Sequence, residues 1–272
     1  MTLASILFSM ALGALVGLSL GLTGGGGAIF AVPLLKYGLG LPILDAVGTS
    51  LITVGSTALI GSIQRARQRL VEYPTGLLFA VAGMLGAPIG TIIAEKISDS
   101  WLLLLFAALM LVIAGRMWIT AKKASPDLPV LNLDQSGPTC RRSEDGRLRL
   151  NSRCALLIML VGLTTGVITG LLGVGGGFII LPALVTFASM PMQKAIGTSL
   201  MIICLVSISG IFSHLLNGRD FSLTVTAPFA AGSVIGLFLG TNWSRRLQGP
   251  TLQRVFSLGI VLIVIFMLVQ SF

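Results

Sequence analysis

Residues Gly21 to Pro33 read G-L-T-G-G-G-G-A-I-F-A-V-P, and 149 positions later Gly170 to Pro182 read G-L-L-G-V-G-G-G-F-I-I-L-P. In both, an apolar run is broken by a knot of glycines and the next apolar run ends on a proline. A glycine costs a helix interior about 1 kcal/mol against alanine, so four in succession at Gly24 to Gly27 end or unwind any helix that reaches them. The same offset sets Gly48-Thr49-Ser50 on Gly197-Thr198-Ser199, Gly61 on Gly210 and Gly83 on Gly232. With one added residue, Gly86 and Gly90 fall on Gly236 and Gly240. The chain is a duplication: residues 1–119 hold one copy and residues 154–272 the other. Residues 120–153, with Pro126, Pro129, Gly137 and Pro138 among mixed charges, read as the linker between them.

What surrounds the two breaks fixes the solvent. Of 272 residues, 54% are hydrophobic and 10% charged, a composition that leaves most of the surface facing lipid. Eight apolar stretches approach the roughly 20 residues needed to cross a bilayer: 3–22, 43–63, 74–94, 101–119, 154–172, 195–216, 222–243 and 252–272. No alternation of apolar and polar residues supports a β-barrel, so the fold class expected is an all-α polytopic membrane protein. The first charge is Lys36, so the N-terminal stretch lacks the basic region of a secretory signal and is expected to persist as a span. The net charge of +9 comes from bases in short loops beside spans, where they set orientation; nucleic acid is not an expected partner. Cys140, Cys154 and Cys204 have no metal-ligand spacing, and their odd number argues against a disulfide framework.

The short elements after the breaks, residues 28–42 and 177–194, carry Pro33, Pro42, Pro182 and Pro191 and either cross the bilayer as broken elements or fold back into it. If they do not cross, the repeats are parallel and the best orientation leaves twelve Lys and Arg inside and six outside. If they cross, the repeats are inverted and fifteen fall inside with three outside. The positive-inside rule prefers inversion, with the 120–153 linker on the cytoplasmic side of the inner membrane and both termini outside. Each half is then expected to hold about four long helices plus one short Gly/Pro-interrupted element.

Paired broken helices in corresponding places of two repeats point to a transporter's central site. A helix resuming after each knot offers unpaired N–H groups and its positive dipole end, with no side chain to keep an anion away. The substrate-binding candidates are Thr23, Gly24, Gly25, Gly26 and Gly27 in the first break and Gly173, Gly175, Gly176 and Gly177 in the second. To these are added the neutral donors Thr49, Ser50, Thr198 and Ser199, which can replace part of an anion's hydration shell or bond back to their own helix. The separated glycines Gly13, Gly17 and Gly21 read as helix packing. No Gly-Lys-Ser/Thr follows either knot, which excludes a P-loop, and no catalytic or metal-ligating constellation lies among the spans, so neither enzyme, metal nor cofactor is expected. Span centres lack ionisable groups; His214, which occupies the repeat position of Arg65, and Asp220 are the candidates for proton coupling.

The order G-x-x-G-x-G-G-G, apolar run and Pro, then G-T-S, then H-x-x-x-G-x-D-F at His214, Gly218, Asp220 and Phe221 resembles the TauE/SafE family of sulfite-exporter-like permeases. The first half repeats the glycine knot and G-T-S but has Arg65 and Glu72 where the second has His214 and Phe221. The resemblance implies a permease for a small anion, sulfite or an organosulfur anion such as a sulfonate. The residues leave a passive anion channel and a non-transporting assembly factor as the alternatives.

Overall fold

A computed structural model describes residues 3–123, 141–142, 148–149, 152–188, 190–217, 222–244 and 258–267. Helix α1 (Leu3–Thr23) runs into the first glycine knot. Beyond it a 3₁₀ turn (Gly26–Phe30), the short α2 (Ala31–Pro33) and a π turn (Leu34–Gly38) follow. The long helices α3 (Ile43–Arg67), α4 (Tyr73–Lys96) and α5 (Asp99–Lys123) complete the first half of the chain. In the second half come α6 (Ser152–Leu172), α7 (Gly177–Thr186), α8 (Met192–Leu216), α9 (Leu223–Ser244) and α10 (Leu258–Met267). In the linker, Arg141–Arg142 pairs antiparallel with Leu148–Arg149. Prolines mark the starts: Pro42 and Pro191 precede α3 and α8 as their N-caps, and Pro74 sits in the first turn of α4, where its missing N–H costs nothing.

Among the described residues, α1, α3, α4, α6, α8 and α9 are long and apolar enough to cross a membrane, and Asp99–Gly115 and Leu258–Met267 are shorter apolar helices. Most of the expected 252–272 span therefore lies outside the described residues. Exposed leucines, isoleucines and phenylalanines coat the outer faces of the helices, while Tyr73, Trp101, Trp118 and Trp243 are exposed near helix ends, the level of an interfacial belt. Cys154, at the start of α6, is disulfide-bonded, which the odd number of cysteines had argued against; Cys204 is a buried free thiol.

Close approach of helices, which lipid cannot drive by the hydrophobic effect, rests on the spaced glycines. A Cβ on Gly17 would stand 1.7 Å from the carbonyl oxygen of Ser233, and one on Gly166 would stand 2.1 Å from that of Gly83. The packing reading of Gly13, Gly17 and Gly21 thus holds: they meet Phe229, Ser233 and Leu237 in turn, which makes α1 and α9 parallel neighbours. Gly162, Gly166 and Gly170 meet Phe79, Gly83 and Ala87 in the same way, so α6 runs parallel to α4.

The central pair is different. Leu51 lies against Gly210, Gly55 against Ser207 and Gly61 against Leu200, so α3 and α8 cross antiparallel. Each also runs parallel to a flanking helix: Thr57 meets Ser233 of α9 at 3.0 Å, and Ser209 Oγ donates to the Met84 carbonyl of α4 at 2.7 Å. Consequently α1, α3 and α9 point one way and α4, α6 and α8 the other. The chain between α1 and α3, and again between α6 and α8, has to return to the side from which it came. Those return segments are the two glycine breaks and the short elements that follow them.

Candidate functional site

The two breaks approach from opposite ends of the α3–α8 pair and meet. Gly24 lies against Ile196, near the start of α8, while Gly173 lies against Val47, near the start of α3. Further along, Gly175 reaches Val54 and Ile203 near the middle of both helices, and Gly25 and Gly177 pack backbone on backbone. A Cβ on Gly177 would stand 2.6 Å from Gly25 Cα, and one on Gly25 would stand 3.0 Å from Gly177 Cα. Five glycines of the breaks have positive φ: Gly24, Gly25, Gly173, Gly175 and Gly176. At Gly175 and Gly176 a side chain would meet both strain and neighbours, since a Cβ on Gly176 would stand 2.5 Å from Thr169 Oγ1.

Broken backbone inside the hydrocarbon layer needs protein partners, and the other half of the chain supplies them. Ser50 Oγ donates to the Gly173 carbonyl at 2.6 Å, and Ser199 Oγ donates to the Gly24 carbonyl at 2.7 Å. Ser50 and Ser199 are repeat counterparts, as are Gly173 and Gly24, so the duplication produces one bond twice, each time across halves. Both serines are fully buried. The last turn of each preceding helix closes alike, with Gly24 N–H on the Leu20 carbonyl and Gly173 N–H on the Thr169 carbonyl.

The rest of the G-T-S motif serves a second contact. A Cβ on Gly197 would stand 2.4 Å from the Leu70 carbonyl oxygen, and Thr198 Oγ1 accepts the Glu72 N–H at 2.9 Å. The α3–α4 loop, in which Arg69 adopts φ 56, is thereby laid across the start of α8. Arg65 Nη1 donates to Gln193 Oε1 at 2.9 Å beside it, and Thr75 Oγ1 donates to Glu72 Oε1. Nothing in the sequence alone ties this loop to G-T-S; the signal that was legible is that the three residues recur as a unit.

The remaining candidates fall as follows. Thr23 Oγ1 accepts the Gly27 N–H at 3.1 Å and donates to the Ser19 carbonyl at 2.8 Å, so it caps the first break. Gly26 and Thr23 are half-buried, and the other glycines of both breaks are buried. Thr49 is buried on α3, one residue before Ser50. Gly176 is the left-handed N-cap of α7, and its carbonyl accepts from Ile179 and Ile180 at 2.9 and 3.0 Å. Helical geometry leaves the N–H groups of Gly177 and Phe178, in the first turn of that helix, without an intrahelical acceptor. His214 is fully buried in the last turn of α8, far from both breaks along the chain, and Asp220 lies outside the described residues. Thr165, Thr169, Thr53 and Thr57 were not singled out by sequence; their i, i+4 spacing is the signal that places each pair on one helix face.

Replacing Ser50 or Ser199 by alanine leaves a buried carbonyl without its donor, and each change is expected to cost about 1–3 kcal/mol. Ser56→Ala, which loses only a bond to Thr53 within its own helix, should cost about 0.5 kcal/mol or less. Thermal unfolding in detergent checks this: the two cross-half serines should lower the midpoint by similar amounts and Ser56→Ala by clearly less.

Residues 9–267 match the family described as Sulfite exporter TauE/SafE. A "Probable membrane transporter protein" of Xylella fastidiosa (strain Temecula1) is 34% identical over 277 residues, covering 100% of this chain and 98% of its own. The "Probable membrane transporter protein YunE" of Bacillus subtilis is 27% identical, over 95% of this chain and 96% of its own. A "Probable membrane transporter protein" of Haemophilus influenzae is 29% identical, over 97% and 98%. No solved structure matches the chain.

Proposed function

The chain belongs to the sulfite exporter TauE/SafE family of membrane transporters, and from that premise we propose that it is a permease for sulfite or an organosulfur anion such as a sulfonate. The observation that carries the reading is the meeting of Gly25 and Gly177 midway along the crossed helices α3 and α8. There two backbone breaks bring the N-terminus of α7 midway along the crossed helices, and the described residues that meet Gly175, Gly176 and Gly177 are uncharged. Fixed N–H dipoles attract an anion, and the lack of a full positive charge lets it leave again.

Residues 1–119 and 154–272 form inverted repeats in this account. The directions support it: α1 and α3 point opposite to their counterparts α6 and α8, and α4 opposite to α9. Transport is alternating access, in which the halves rock about the crossed breaks while the Ser50–Gly173 and Ser199–Gly24 bonds keep each break attached to the opposite half. The buried breaks described above then belong to a closed state, and the α3–α4 loop over α8 is one of the seals.

Gly26 has no positive φ and its nearest neighbour is the soft hydroxyl end of Thr23, so Gly26→Val adds bulk at the break with little backbone strain. In proteoliposomes it should cut saturable sulfite flux by at least about tenfold while the protein still inserts and unfolds near the wild-type temperature. Wild-type flux from this variant rules out the site as drawn, and non-saturating flux from the unmodified protein favours a passive channel.

The chain lies in the inner membrane with the 120–153 linker and the α3–α4 loop in the cytoplasm, the orientation that puts fifteen of 18 Lys and Arg inside. Gln68 and Ser98 are both exposed, in the loops before and after α4. In a cysteine-free background, an impermeant thiol reagent applied to intact cells should label Ser98→Cys and not Gln68→Cys. The opposite pattern reverses the orientation.

A further inference from the structure

The fold of the two halves is held by bonds that the duplication repeats, which makes polar groups that it does not repeat stand out. Three buried hydroxyls have no partner among the described residues: Ser9, Thr53 and Ser207. Ser207 is packed against Gly55 in the α3–α8 seam, and Ser9 lies near the start of α1. Thr53 has a different setting. It is the middle member of Thr49, Thr53 and Thr57, three buried threonines one turn apart on one face of α3. Thr57 Oγ1 donates to the Thr53 carbonyl at 2.7 Å and lies 3.0 Å from Ser233 Oγ of α9, which is also fully buried. The row is therefore polar from Thr49 to α9, yet the Thr53 hydroxyl at its centre has no partner among the described residues.

The corresponding face of α8 is Thr198, Ile202 and Val206. It packs tightly on α4: a Cβ on Gly76 would stand 2.9 Å from Thr198 Cγ2, and one on Gly83 would stand 2.7 Å from Val206 Cγ2. The position equivalent to Thr53 is thus filled by isoleucine with no loss to the shared fold. A buried hydroxyl without an acceptor costs stability, and valine would fill the same volume without that cost. Packing therefore does not require a hydroxyl at residue 53. Thr53 is one residue from Val54, whose side chain touches the second break at Gly175, and three from Ser50, which bonds that break.

We propose that the Thr53 hydroxyl is a direct hydrogen-bond donor to the transported oxyanion, on a polar face of α3 and α9 whose repeat counterpart, the face of α8 against α4, has Ile202 and Val206 in place of Thr53 and Thr57. The inference rests on the anion-permease reading given above. A cation is the poorer match for this hydroxyl, because α3 carries no acidic residue beyond Asp45 in its first turn and α8 carries none. In this account the substrate path is one-sided: the serine bonds that hold the breaks repeat in both halves, whereas the unbonded hydroxyl stands at Thr53 of α3 and not at its counterpart Ile202 of α8.

The test is sulfite uptake into proteoliposomes by the unmodified protein, Thr53→Val, Thr53→Ser and Gly26→Val, with thermal unfolding of each in detergent without substrate. Thr53→Val should unfold at or above the wild-type temperature, yet lose about tenfold or more in kcat/KM for sulfite. Thr53→Ser, which keeps the hydroxyl, should recover most of it. Wild-type kcat/KM in Thr53→Val, or a loss that Thr53→Ser does not repair, overturns the proposal. If that happens while Gly26→Val is inactive, the glycine-break reading survives; if the unmodified protein moves neither sulfite nor an organosulfur anion such as a sulfonate, both fall.

Discussion

The structure depends on one constraint: a helix broken inside the hydrocarbon layer has no water to satisfy its backbone, so protein has to do it. Here each break is satisfied by the opposite half of the chain. Ser50 reaches the carbonyl of Gly173, Ser199 reaches that of Gly24, and Gly25 and Gly177 are pressed together where the breaks cross. The glycine knots cannot be placed without α3 and α8 beside them, and α3 and α8 have to cross for each to reach the other's break. The parallel glycine seams of α1 with α9 and of α4 with α6 follow, since they attach the first long helix of each half to the third long helix of the other.

This interlocking bears on how a site in the middle could work. Two rigid halves joined by a flat interface would separate when they move, whereas halves that hold each other's broken backbone can rock and keep those bonds. The local machinery is light: N–H dipoles, hydroxyls and glycines, with Arg65, Glu72 and His214 kept toward the helix ends. In the proposed permease such a site would give modest attraction and ready release, which suits carriage of a strongly solvated anion better than tight storage would.

Much of this was legible in the sequence because glycine and proline report backbone geometry directly. The knots at Gly24 to Gly27 and Gly173 to Gly177 stand where helices stop, Pro42 and Pro191 stand where the next begin, and Gly13, Gly17 and Gly21 form a packing seam. The roles of hydroxyls were not legible, because a serine or threonine in a span has the same appearance whether it bonds its own helix, another helix or a ligand. Ser50 and Ser199 proved to hold carbonyls across the halves, Thr198 to anchor a loop, and Thr23 to cap a turn. The second short element forms a regular helix of 10 residues, while the first is divided among 3₁₀, α and π turns, a difference that their similar apolar sequences do not announce.

The central claim is that the two breaks together form the anion's site, and backbone amides there report on it without any substitution. Hydrogen–deuterium exchange of the protein in lipid nanodiscs, with and without sulfite, reads the peptides that span Gly24 to Gly27 and Gly173 to Gly177. The account predicts that sulfite changes exchange in both peptides together and leaves the α1–α9 glycine seam unchanged. Transport of sulfite with no change in exchange at either break would contradict it.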